Sequence, residues 1–164
     1  MKTWTQTSPL GTLAIASTPA GVTSLEWTAE PVSGSPDRSV AKALDSYFAG
    51  DHGALSELDV DFGPRGAFTV AVLEALREIP AGTTTTYGAL AALAGRPSAA
   101  RAVGQAVGSN PVPVIVPCHR VIASNGSLGG FSAGLDRKRA LLDHEGVPAL
   151  AGGWTSRREL ALAV

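Results

Sequence analysis

Cysteine is almost missing from the 164 residues. Cys118 stands alone, which excludes an internal disulfide framework and any zinc site built from several cysteines. Long apolar runs are missing as well. No stretch approaches the ~18 uninterrupted apolar residues of a membrane span, and Met1-Lys2-Thr3-Trp4-Thr5-Gln6 lacks the apolar centre of a secretory signal. The expectation is a cytoplasmic protein with no membrane segment. Aromatic residues are few at 5% and charge is sparse at 16%, yet 45% of the residues are hydrophobic, enough to bury a core and unlike a disordered chain.

A net charge of -1 argues against a strongly basic coat for nucleic acid, but the average hides an asymmetry. Residues 1 to 60 carry three basic against seven acidic side chains, and residues 61 to 164 carry ten against seven. Arg96, Arg101, Arg120, Arg137, Lys138 and Arg139 crowd the second part. A polyanion, if one binds, is expected there, with a scatter of solvated charges as the plain alternative.

Leu10, Leu13 and Ile15, then Val22, Leu25 and Trp27, fall in short runs broken at Pro19-Ala20-Gly21 and predict hairpin strands. After the loop Gly34-Ser35-Pro36-Asp37, the residues Val40, Ala43, Leu44, Tyr47 and Phe48 recur at helical spacing and stop at Gly50. Asp51 to Pro64 is acidic and weakly periodic, which places a domain boundary near 60. Phe68, Val72, Leu73, Leu76 and Ile79 then form a helical stripe ended by Pro80-Ala81-Gly82.

Thr83 to Gly95 predicts a short helix with threonine caps. Ser98 is placed to cap a second helix, Ala99 to Val107, ending at Gly108. Helix, turn, helix is the outline of a DNA-binding unit and of many purely structural pairs. The second helix, with Ala99, Ala100, Ala102 and Gly104 around the single charge of Arg101, is made of residues that let a backbone approach another surface closely. Tight packing on a neighbouring helix would use the same residues.

Pro111, Pro113 and Pro117 predict an extended segment that ends at Cys118-His119-Arg120. A lone cysteine is usually a core filler. One beside a histidine and an arginine has the means to become a thiolate. Neighbours in an extended chain point to opposite sides, so Cys118 and His119 would need a turn or a bridging water to communicate.

Pro117-Cys118-His119-Arg120-Val121 resembles the signature of the O6-alkylguanine-DNA alkyltransferases. The likeness extends from Ile79-Pro80-Ala81-Gly82 through Thr86-Tyr87, Ala99 to Gly104, Asn110-Pro111, Gly129 to Gly134 and His144-Glu145-Gly146, in order and spacing. It covers residues 65 to 148. The resemblance implies an α+β protein: an N-terminal ribonuclease-H-like domain (1–60) with a small antiparallel three-stranded sheet and a helix, then a mainly helical C-terminal domain (61–164) of winged helix-turn-helix type.

The activity it implies is direct-reversal repair. An alkyl group passes irreversibly, once per molecule, from O6-alkylguanine, and from O4-alkylthymine, in double-stranded DNA to Cys118. The implied protein is a monomer without cofactor or metal that binds the minor groove and rotates the damaged nucleotide out of the stack.

By the same resemblance His119 and Glu145, with a water, take the thiol proton and Asn110 braces the site. Tyr87 donates to guanine N3 and displaces a phosphate. Arg101 fills the gap in the stack, and Ala99, Ala100, Ala102 and Gly104 line the DNA. The carbonyls of Cys118 and Val121 accept the guanine amino group, the amide of Ser132 donates to O6, and Phe131 stands in the pocket wall where a tyrosine is an alternative. Arg120 reads best as a buried structural ion pair. A non-catalytic lesion-binding relative and a thiol hydrolase are the rival readings.

Overall fold

The computed structural model describes residues 1–147. Trp154, Arg157 and Arg158, to which the sequence assigns no role, lie outside the described residues. The described residues divide into two compact units, residues 1–65 with 111–115, and residues 66–110 with 116–147.

In the first unit three antiparallel strands, β1 (Lys2–Ser8), β2 (Gly11–Thr18) and β3 (Gly21–Trp27), run in the order of the chain. Trp4 opposes Ile15, and Ile15 opposes Leu25. Two-residue alternation therefore sends Trp4, Leu13, Ile15 and Leu25 to one buried face. Leu10 is not a strand residue: it lies in the turn between β1 and β2, half-buried, because two tightly joined strands need their turn where Pro9 already fixes φ. Helix α1 (Arg38–Phe48) is capped by the Asp37 carboxylate, which accepts from the amides of Ser39 and Val40, and buries Val40, Leu44 and Tyr47 at four- and three-residue steps.

Beyond α1 the chain returns to the sheet: Val22 N donates to Asp59 O, and Asp61 N donates to Val22 O, each at 2.9 Å. Gly21 makes this approach possible, since a Cβ there would stand 2.6 Å from Asp59 O. Residues 59–61 are thus held to β3, and the units part between Arg65 and Gly66, past the position near 60 that the weak periodicity gives.

The second unit is mainly helical: α2 (Ala67–Arg77), a two-residue strand β4 (Thr85–Thr86), α3 (Tyr87–Leu93), α4 (Ala100–Gly108), a 3-10 turn (Cys118–Arg120), a two-residue strand β5 (Val121–Ile122) and α5 (Leu135–His144). Val72, Leu73 and Leu76 of α2, Leu90 of α3 and Val103 of α4 are fully buried. Thr86 caps α3 by accepting from Ala89 N, and Gly95, at φ 88°, turns the chain out of it. Ser98 does not cap α4. That helix begins one residue later, with Ala99 in the cap position and no side-chain acceptor, because the turn closes first through Ala99 N to Arg96 O.

The proline segment is not simply extended. Val112, Val114, Ile115 and Val116 are all buried, and the chain turns at residues 114 and 115. Val114 takes φ 73°, a left-handed conformation costing a β-branched residue on the order of 1–3 kcal/mol.

Candidate active site

Two short strands bring the chemical residues together. β4 and β5 pair in parallel, Thr85 with Val121 and Thr86 with Ile122, so Tyr87, the next residue after β4, and Cys118, one turn before β5, are fixed by the same ladder. The 3-10 turn is closed by Arg120 N donating to Pro117 O at 3.0 Å. Consecutive side chains in such a turn are about 120° apart rather than opposed, which removes the objection that an extended chain raises to cooperation between Cys118 and His119.

Both residues are buried. His119 Nε2 lies 2.8 Å from Glu145 Oε2, while its Nδ1 has no hydrogen-bond partner among the described residues. Glu145 follows the last residue of α5 and also accepts from Arg120 Nε on Oε1 and Nη2 on Oε2, both at 2.8 Å. Arg120 Nη1 donates to Ile79 O at 2.6 Å, beyond the end of α2 at Arg77. Arg120 is thus the buried ion-pair residue that the sequence favours.

Burial works against the charge on Glu145, but bonds from Arg120 and His119 outweigh it and hold the carboxyl well below the usual range. It stays an acceptor, so a neutral His119 carries its proton on Nε2 and leaves Nδ1 as a lone-pair base. Burial pulls the imidazole below its ordinary value against the pull of Glu145, and pushes the Cys118 thiol up against the Asn110 side chain and Lys138. The resting sulfur is a thiol that needs a base. Asn110 Nδ2 donates to Val116 O at 2.9 Å and so braces the chain just before the turn.

Cys118 opens into a cavity of about 190 Å³ lined by Tyr87, Gly104, Val107, Gly108, Gly130, Phe131 and Ser132. Tyr87, Phe131 and Ser132 stand in one lining with the cysteine; Gly104, expected on the DNA side, lines it as well, and Val107, Gly108 and Gly130 are additional. Gly129, at φ 72°, leaves the Tyr87 hydroxyl its place: a Cβ on it would stand 3.2 Å from that oxygen. Ala99, Ala100, Ala102 and Arg101 do not line the cavity. Ala100, Arg101 and Ala102 form an exposed face of α4 and Ala99 is half-buried at its start.

The basic cluster of residues 96 to 139 is partly internal. Arg120 and Lys138 are buried and committed to acceptors of the protein, which withdraws them from any polyanion surface. Among the described residues no three His, Cys, Asp or Glu side chains gather as a metal site, and no helix is long and apolar enough to cross a membrane.

The 6-O-methylguanine DNA methyltransferase, DNA binding domain family model matches residues 67–147. The methylated-DNA--protein-cysteine methyltransferase of Mycobacterium tuberculosis (strain ATCC 25618 / H37Rv) is 43% identical over 153 residues, 84% of this chain and 88% of that protein. The chain belongs to the methylated-DNA--protein-cysteine methyltransferase family. The family's enzyme from Salmonella typhimurium is 47% identical over 117 residues, 71% of this chain and 68% of its own. The crystal structure of Mycobacterium tuberculosis OGT in complex with DNA superposes with a TM-score of 0.76 at 39% identity, covering 88% of this chain and 94% of that one. As a member of this methyltransferase family the chain offers one cysteine, Cys118, and the fold sets it in a walled cavity beside a buried histidine.

Sequence reasoning overlooked Lys138, counting it with the surface charges. Its signal was present: Leu135 precedes it by three residues, and Leu141 and Leu142 follow by three and four, so it occupies the apolar face of α5.

Proposed function

We propose that this protein repairs alkylated DNA directly, moving the alkyl group from guanine O6, or thymine O4, to Cys118 Sγ. The thiol proton leaves through a water to His119 Nδ1, the thiolate attacks the alkyl carbon, and the carbon–O6 bond breaks with its electron pair going to the base. Tyr87, at the cavity wall, donates toward guanine N3 as that negative charge develops, and the Ser132 amide serves O6. Phe131 bounds the space for the alkyl group. The product is a thioether, from which a neutral sulfur offers no good leaving group for a second displacement, so each molecule acts once.

The observation that carries this reading is the buried Glu145–His119 pair, with a free Nδ1, on the residue that follows the one cysteine lining the cavity. The substrate base must leave the duplex to enter that cavity. A nucleotide rotated through the minor groove fits α4, whose exposed Ala100 and Ala102 keep the approach short and whose Arg101 is long enough to occupy the vacated stack. The protein works as a monomer on duplex DNA, without cofactor.

Mass spectrometry after incubation with a duplex containing O6-methylguanine tests this. One methyl group on Cys118, absent from Cys118→Ala, is the expected result. Binding without an adduct would make the protein a lesion marker, and repeated release of product would make it a thiol hydrolase.

A further inference from the structure

We propose that Lys138 is a positioning residue that sets the width of the Cys118 cavity by tying its loop wall to β5, an inference that rests on the alkyl-transfer reading above. Lys138 has no accessible surface. Its Nζ donates to Val121 O at 2.6 Å, to Gly130 O at 3.1 Å and to Leu128 O. An ammonium has three N–H donors, and three carbonyls take them all.

Those carbonyls come from two pieces of chain with different duties. Val121 follows the cysteine turn directly and is paired with Thr85. Leu128 and Gly130 belong to the loop that delivers Phe131 and Ser132 to the opposite wall. At its base the loop is closed by Ala123 N donating to Ser127 O at 3.0 Å, and at its far end by Gly134 N donating to Phe131 O at 3.0 Å. Among the described residues, 128 to 130 make no backbone–backbone hydrogen bond of their own. In that interval the ammonium does what a sheet partner would do.

The tether also bears on recognition. A carbonyl oxygen has two lone pairs. On Val121 the ammonium takes one and leaves the other for the exocyclic amino group that the proposed guanine presents. Gly130, one residue before Phe131, is held by the same nitrogen, so the acceptor and the wall are spaced by a single atom. The competing role for a buried cation near a thiol is purely electrostatic, favouring the thiolate of Cys118. Burial holds the Lys138 ammonium down at about 8, opposed by Cys118, so the two groups do sense each other.

Lys138→Met and Lys138→Arg separate these roles when benzyl transfer from free O6-benzylguanine is followed to saturation and the thiol is titrated with iodoacetamide, which needs no base-shaped pocket. If Lys138 is a tether, Lys138→Met raises the half-saturating concentration of O6-benzylguanine about tenfold or more, with a smaller fall in maximal rate, in addition to the upward shift of the iodoacetamide profile that loss of the nearby ammonium itself brings. Lys138→Arg then behaves like the methionine variant in half-saturation, because a planar fork cannot put three bonds from one atom on three converging carbonyls. Recovery in Lys138→Arg, or an upward move of the iodoacetamide profile in Lys138→Met with unchanged half-saturation, overturns the tether in favour of charge.

The wild-type chain decides the matter if neither variant folds. It has three lysines, Lys2, Lys42 and Lys138, and with 15N-lysine it should give one slowly exchanging ammonium signal; absence of that signal overturns the proposal. Failure of the wild-type protein to accept a benzyl group would instead sink the alkyl-transfer reading, and the ammonium signal would still report on the tether.

Discussion

Glu145 Oε2 and His119 Nε2 meet at 2.8 Å with both side chains sealed from solvent. A carboxylate in that position is an acceptor for Arg120 as well, so its charge is shared between a permanent cation and a neutral ring. Holding the imidazole in one tautomer is the work such a contact can do, and its loss would be felt both in folding and in the chemistry.

Glu145→Gln should therefore be costly twice over. Removing one partner of a buried ion pair leaves the other uncompensated, a loss of about 3–5 kcal/mol, readable in guanidinium unfolding. The alkyl-transfer rate should also fall and its pH dependence move upward, because His119 loses the group that fixes its tautomer. A variant with native stability and an unshifted profile would remove Glu145 from the account.

The pH dependence of stability has a definite sign. The imidazole of native His119 lies below its ordinary value of 6.5, so as pH falls below about 6.5 the unfolded chain binds a proton that the native state still refuses. Stability contributed by His119 is complete above that pH and is lost as pH falls toward the native value. Denaturant titrations at pH 8 and pH 5 should show a smaller drop for a folded His119→Asn variant than for the wild type; an equal drop would assign the acid sensitivity to other groups.

Arg101→Ala should act on extrusion. If the side chain occupies the vacated stack, the rate on duplex DNA falls much more than the rate on free O6-benzylguanine, since opening a stacked pair costs on the order of a few kcal/mol. A phosphate anchor would instead weaken affinity with a shallower salt dependence and little change at saturating DNA. Equal losses on both substrates would make Arg101 a structural residue of α4.

Gly129→Ala meets two obstacles in one step. The φ of 72° costs an alanine roughly 1–2 kcal/mol, and its Cβ would stand 3.2 Å from the Tyr87 hydroxyl. Transfer from O6-benzylguanine should slow by more than the loss of stability explains, and in a Tyr87→Phe background, itself slower, adding Gly129→Ala should cost much less. A slowed double variant with no such relief would place the effect in the backbone alone.

The elements readable in the sequence are those in which one period governs one buried face, as in Leu13 and Ile15 of β2 or Val72, Leu73 and Leu76 of α2. Where two demands compete, the pattern misleads. Ser98 has the chemistry of a cap, but the turn from Arg96 to Ala99 closes before the helix begins. The prolines suggest an extended segment, but the chain turns at residues 114 and 115, with Val114 in the left-handed region. The cysteine motif marks the site, whereas the partnership of Arg120 with Glu145 and of Lys138 with three carbonyls depends on approaches between distant parts of the chain that spacing does not encode. Arg120 reads as a buried ion pair without its partner being nameable, and Lys138, on the apolar face of α5, reads as interior without its acceptors being nameable.

The bond between His119 and Glu145 joins positions 26 residues apart, with the far partner immediately after α5. Domains form as units while the chain emerges from its N-terminal side, so the thiol leaves the ribosome well before the carboxylate that makes its neighbour a base. A nascent chain stalled ahead of α5 carries a cysteine of ordinary solution reactivity. On the proposed mechanism the activated nucleophile ripens with the last described helix, which would reserve a single reaction for molecules that have finished folding.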